Sequence, residues 1–153
     1  MKKFILLLLL SFSVNASESV MIEKGVYTKH LPSHYPYNND NKMIALEYNK
    51  DKWYFNVSYF DNSFYRKSIT LGSGYKVYSI YGFNLDLLFG AATGYDEAVP
   101  GMKIKMPCID FICFYVAPRI SYGIPLTDHV YFTQSVKVFG TAAEVGLGLK
   151  YEF

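Results

Sequence analysis

Ala143-Glu144-Val145-Gly146-Leu147-Gly148-Leu149-Lys150-Tyr151-Glu152-Phe153 closes the chain, and it alternates without a break. Val145, Leu147, Leu149, Tyr151 and Phe153 fall on one phase, and Glu144, Gly146, Gly148, Lys150 and Glu152 on the other. A period of two belongs to a strand with two unlike faces, whereas a helix repeats its apolar positions every three or four residues. Trp53–Asp61 repeats the pattern, with Trp53, Phe55, Val57 and Tyr59 opposite Asn56 and Ser58. Residues 22–30, 43–49, 68–77, 82–94, 112–122 and 129–138 alternate similarly, making eight strands in all. No segment carries a helical stripe, an internal repeat or the composition of a domain linker.

The 153 residues suit one domain, and 51% hydrophobic content excludes a disordered polymer. A membrane-crossing helix needs roughly 18 apolar residues in a row. The longest strongly apolar stretch is only 4–10, at the front of the chain. The remaining apolar residues are dispersed, and aromatics reach 18%, a strand-forming composition. Lys2 and Lys3, the apolar 4–10 and Val14-Asn15-Ala16 have the order of a secretory signal peptide cut after Ala16. The expected organisation is therefore a leader over 1–16 and one domain over 17–153. The leader takes two of the 15 basic residues, leaving 13 against 13 acidic ones. A neutral, exported chain is a poor ligand for nucleic acid.

The connections sort by length. Short ones lie at 50–52, near Tyr78-Ser79 and at 123–128; longer or more polar ones span 31–41 and 95–111. Strands of this length, even in number and joined by alternating short and long connections, predict an all-β, antiparallel, up-and-down transmembrane barrel. A terminal aromatic after an alternating strand resembles the final strand of outer-membrane barrels. A secreted β-sandwich would carry polar outward faces, and this chain does not. The expected location is the cell outer membrane of a Gram-negative-type envelope, with both termini on the periplasmic side.

The inward phase divides the interior by height. Glu47, Asn49, Asn84, Asp86, Arg119, Ser121, Lys150 and Glu152 fall in the periplasmic half. Met43, Ala45, Phe60, Leu88, Gly90, Ala92, Tyr115, Ala117, Gly146 and Gly148 fall in the outer half. Small eight-stranded barrels are normally filled by side chains. Facing glycines and alanines leave room for an acyl chain, unless Phe60, Tyr115 and Met43 occupy the space themselves.

His30 with Tyr37-Asn38-Asn39-Asp40, then 44–48, Phe60-Asp61-Asn62-Ser63-Phe64 and Ala117-Pro118 with Ser121-Tyr122-Gly123, resemble the lipid A palmitoyltransferases. The likeness runs in order along most of the mature chain, through short motifs. It implies an eight-stranded outer-membrane barrel that moves a palmitoyl chain from a phospholipid to lipid A, working as a monomer with no cofactor. It places the catalytic His at His30, the Ser at Ser63, and Asn62 where the family has Asp. It also assigns Pro118 to a weakened strand junction through which lipid enters sideways. A second such proline is missing, since Val138 and Phe139 stand there, and no room is left for an N-terminal amphipathic helix. Acyl transfer needs a base and donors for the oxyanion. An imidazole suits the first task, because it changes protonation near neutral pH. Asn62 can orient it without supplying charge, or join Ser63 as an oxyanion donor. The competing expectation is a structural or adhesive barrel with no chemistry.

Other residues offer less. His34 and His129 fall in connections, and His30, His34 and Asp40 match no known metal-ligand spacing, so no metal is expected. Cys108 and Cys113 either close a loop as a disulfide in an oxidising envelope, or point to opposite faces of one strand as free thiols.

Overall fold

The computed structural model describes residues 18–31, 36–95 and 106–153. The leader expected over 1–16 lies outside them. The strands are β1 (Glu18–His30), β2 (Ile44–Lys50), β3 (Trp53–Asp61), β4 (Lys67–Ile80), β5 (Phe83–Thr93), β6 (Cys108–Ile109), β7 (Ile112–Pro125), β8 (Val130–Phe139) and β9 (Ala142–Glu152). All but β6 are staves of one closed, antiparallel, eight-stranded barrel. Each pairs with its chain neighbours, β5 pairs with β7, and β9 returns to β1. The described residues contain no helix. Bulges between Gly25 and Tyr27 on β1 and between Lys76 and Tyr78 on β4 add local twist.

Local chemistry sets the turns. Tyr81 and Gly82 between β4 and β5 both have positive φ (47° and 84°), the geometry of a tight two-residue hairpin whose twist matches its strands. At the same end lie the β2–β3 turn, where Asp51 has φ 56°, and both barrel termini. The longer connections, 31–43 and 94–111, leave from the opposite end, which by the usual asymmetry of such barrels is the external one.

Away from the bulges the alternation assigns the faces correctly, and the β1 bulge switches its phase so that Glu23, Thr28 and His30 all face inward. Ile22, Leu46, Phe55, Val57, Leu71, Leu85, Val116, Ile120, Leu147 and Leu149 are exposed on the outer wall. Among the described residues, sixteen buried side chains are polar or charged against eight that are apolar. That inverts the rule for proteins in water, where buried charges are rare, and marks a wall facing hydrocarbon.

The interior is compensated pair by pair. Arg119 binds Glu47 through Nη1 (2.7 Å) and Nη2 (3.3 Å), binds Asp86 through Nε (2.8 Å), and lies 4.3 Å from the Tyr54 ring. Lys137 pairs with Glu23 and, at 3.3 Å, with Glu144. Ser135 donates to Glu23 at 3.0 Å, and Asn41 donates to Glu144 at 2.5 Å. These bonds hold charges that burial would otherwise expel.

Two expectations about the interior need correction. The glycines do not leave space. The Tyr115 hydroxyl lies over Gly72 and Gly90, the Tyr54 ring over Gly74, the Glu23 carboxylate over Gly146 and the Thr133 hydroxyl over Gly148. Gly74 and Gly146 mark places where a long side chain crosses from another strand, and a neighbouring strand's main chain also closes on Gly90 and Gly148. Nor does polarity divide simply by height. Glu144 lies opposite Thr28, close below the His30–Ala142 pair at the external rim, so a polar wall climbs β1, β8 and β9. Apolar residues stand across from it around the start of β2 (Met43 and Ala45), on β5 (Leu88 and Ala92) and on β7 (Ala117).

Candidate functional site

His30 is the last residue of β1, and 95% of it is buried. Its Nε2 lies 2.7 Å from Ser63 Oγ, and its Nδ1 lies 3.0 Å from Asn39 Oδ1. Tyr37 stacks on the ring at 4.3 Å between centroids. The parts arrive from separate elements by main-chain bonding. Thr28 N donates to Asn39 O (2.9 Å), Asp61 N to Asn41 O (2.7 Å) and Asn38 N to Ser63 O (2.9 Å). The β1–β2 connection is thus laced to both β1 and the β3–β4 turn, and it carries Asn39 to the far side of the imidazole.

Asn39 Oδ1 accepts only if Nδ1 carries the proton. Nε2 then presents its lone pair to Ser63, whose hydroxyl donates to it. This is the arrangement of a serine nucleophile, a histidine base and an orienting amide. Tyr95 stands on the other side of Ser63, its phenol oxygen accepting from the Ser63 main-chain N–H and lying against the serine hydroxyl. Burial pushes its phenol well above the ordinary tyrosine range, so it stays protonated at neutral pH.

Of the three residues expected at the catalytic centre, His30 and Ser63 meet and Asn62 does not join them. Asn62 is fully buried, and its amide is spent on the turn. Nδ2 donates to Ser68 Oγ (3.0 Å) and Gly94 O (2.8 Å), while Oδ1 accepts from Phe64 N (2.9 Å) and Arg66 N (3.1 Å). It holds the β3–β4 turn that presents Ser63. The orienting position belongs to Asn39, which lay inside the Tyr37-Asn38-Asn39-Asp40 stretch but carried no periodic signal. Tyr95 was missed as well.

A cavity of about 730 Å³ opens beside His30 and Ser63, within the size range of small-molecule sites. Met43, Ala45, Phe60, Leu88, Ala92 and Tyr115 line it, whereas Gly90, Ala117, Gly146 and Gly148 do not. Ala117 packs with Tyr54 and Leu88 in a small apolar cluster beneath. Glu23, Glu47, Lys137 and Glu144 form a charged floor and side wall.

The cavity also reaches the wall at β7–β8. That ladder runs from Arg119–Lys137 to Pro125–Tyr131. Above it, residues 112–118 of β7 pair with β5 but not with β8, and Val138 and Phe139 pair with β9 alone. Pro118 is the first residue of β7 above the ladder, and Phe114, Val116, Phe139 and Gly140 bound the cavity along this seam. Higher up, Cys108 and Cys113 face one another between β6 and β7, with Cα atoms 3.9 Å apart and a disulfide joining them. The free-thiol alternative assumed one strand; instead Asp110 (φ 52°) and Phe111 reverse the chain between the cysteines.

The remaining candidates disperse. His129 lies at the opposite end, its Nδ1 3.1 Å from the Glu152 carbonyl, and His34 falls outside the described residues. No cluster of metal-ligating side chains occurs among the described residues.

No protein-family model and no curated protein matches the chain. Solved structures do. The N-terminal β-barrel domain of Pseudomonas aeruginosa OprF superposes with a TM-score of 0.50 at 15% identity, covering 88% of this chain and 97% of that one. The Yersinia pestis outer-membrane protein Ail in a phospholipid nanodisc gives 0.49 at 14% identity, with 91% and 100% covered. Neisserial surface protein A gives 0.44 at 12%, with 90% and 97% covered. The chain has the fold of an outer-membrane eight-stranded β-barrel, and the likeness at these identities extends to the fold alone.

Proposed function

We propose that this chain is an outer-membrane acyltransferase that moves an acyl chain from a phospholipid to a hydroxyl of lipid A. The observation that carries the reading is the 2.7 Å His30–Ser63 hydrogen bond at the mouth of a cavity of about 730 Å³. A base poised against a hydroxyl is the minimum apparatus for breaking and remaking an ester. The apolar wall of Met43, Ala45, Phe60, Leu88 and Ala92 suits a hydrocarbon tail. Pro118 at the top of the β7–β8 ladder gives a tail in the outer leaflet a sideways route to the base, because no main-chain bonds need to break. Substrate and product both remain membrane-bound, and the reacting ester sits near the external rim.

The test is expression in an outer membrane that lacks its own lipid A acyltransferase, followed by mass analysis of extracted lipid A. A gain of one acyl chain, abolished by His30→Ala, is the expected result. Unchanged lipid A from a folded, heat-modifiable barrel overturns the activity and leaves a structural or adhesive barrel. That reading draws support from the ion pairs that fill the interior beneath and beside the cavity, which brace a barrel whatever its activity.

A further inference from the structure

We infer that transfer proceeds in two steps through an acyl ester on Ser63, with Asn39 positioning His30. The inference rests on the proposed acyl-transfer reading but specifies a covalent intermediate that reading does not require. In a one-step transfer His30 would deprotonate the acceptor directly, and Ser63 would be a bystander. The geometry favours the other order. Nε2 is already engaged at 2.7 Å with the Ser63 hydroxyl, and Nδ1 is held at 3.0 Å by Asn39 Oδ1. An acceptor approaching Nε2 would first have to displace Ser63.

Ser63 is also held from its other side. Its main-chain N–H donates to the Tyr95 phenol oxygen. Tyr95 follows β5, and Phe64 packs edge-on against its ring at 6.2 Å, which fixes the direction of the phenol. Asn62, with its amide consumed in the turn, anchors the residue before the nucleophile.

In the first step Ser63 Oγ attacks the ester carbonyl and passes its proton to His30 Nε2. The tetrahedral oxyanion collapses, the bond to the glycerol oxygen breaks, and Nε2 returns the proton to that oxygen, releasing a lysophospholipid. In the second step an acceptor hydroxyl gives its proton to Nε2 and attacks the acyl carbon. The Ser63 ester bond then breaks, and the serine regains its proton. Atoms and charge balance with no further reactant.

The experiment uses the full-length barrel in detergent micelles with p-nitrophenyl palmitate, following p-nitrophenol release and the intact protein mass. A burst of one equivalent and a single palmitoyl adduct mapping to Ser63 are expected. Ser63→Ala gives neither, and Ser63→Cys accumulates a thioester. His30→Ala slows the burst at least about 100-fold, as loss of a general base does. Asn39→Leu slows it at least about tenfold and Asn39→Asp restores it, a rescue that a packing role alone would not produce. Lipid A acylation without burst or adduct, in wild type and in Ser63→Cys alike, overturns the covalent path and leaves the proposed function standing. An adduct with unchanged lipid A does the reverse. Neither signal from a heat-modifiable barrel overturns both.

Discussion

Glu23 of β1 and Lys137 of β8 form an ion pair across Gly146 of β9, the strand between them. Lys137 also reaches Glu144, so one ammonium holds two buried carboxylates. Removing it leaves both without a counter-charge, which costs about 3–5 kcal/mol for a buried pair broken on one side. Lys137→Met is expected to lower the urea midpoint of the folded barrel accordingly, and Lys137→Met with Glu23→Gln to recover part of the loss. A Cβ at Gly146 would sit 2.6 Å from Glu23 Oε1, so Gly146→Val is expected to be destabilising by the same probe.

Replacing Asn62 by aspartate is expected to harm the protein rather than improve it. Asn62 Nδ2 donates to the Gly94 carbonyl and the Ser68 hydroxyl. A carboxylate there can donate to neither and faces the carbonyl oxygen with like partial charge. The buried, broken contacts are expected to cost about 1–3 kcal/mol, read from thermal unfolding in detergent. The rate on an activated ester is expected to fall with the displaced Ser63. A rate increase would show that Asn62 acts on the chemistry directly.

Tyr95 introduces an alkaline limit. An unfolded tyrosine ionises near about 10, whereas burial raises the folded phenol above that. The neutral phenol therefore favours the folded state below about pH 10, and that contribution is lost as pH rises through the raised value. Denaturation midpoints taken from about pH 9 to about pH 11 are expected to fall more steeply for wild type than for Tyr95→Phe. Parallel curves would mean that Tyr95 is not the buried phenol described.

The periodic parts of this molecule were legible because pleating turns sequence parity into geometry. Glu47, Asn56, Asp86, Leu88, Tyr115 and Arg119 all lie on the inward face that alternation assigns. Parity says which face a residue takes, but not what leans over it. Gly146 reads as a gap, although the carboxylate that fills it belongs to a residue on another strand. Asn39 and Asn62 fail for a related reason. Both sit in connections, where hydrogen bonds such as Thr28 N to Asn39 O decide direction, and no repeat in the sequence encodes them.

The β7–β8 seam supplies the last prediction. Phe114 N donates to the Pro107 carbonyl, so the main-chain groups of Phe114 face away from β5. Main-chain direction alternates along a strand, which puts Val116 and Pro118 on that same edge. Pro118 thus stands where the next N–H above the Arg119–Lys137 pair would continue the ladder, and it has none to give. Pro118→Val supplies the donor at the cost of no interior volume, because the side chain is exposed on the outer wall. One added hydrogen bond is expected to stabilise the barrel by about 1 kcal/mol and to slow amide exchange at the top of β8. If tails enter here, the rate on phospholipid embedded in vesicles is expected to fall severalfold. The rate on a water-soluble short-chain ester, which reaches His30 and Ser63 from the external rim, is expected to stay level. Equal loss on both substrates would place the defect in the catalytic centre, and equal rates with slowed exchange would show that lipid takes another route.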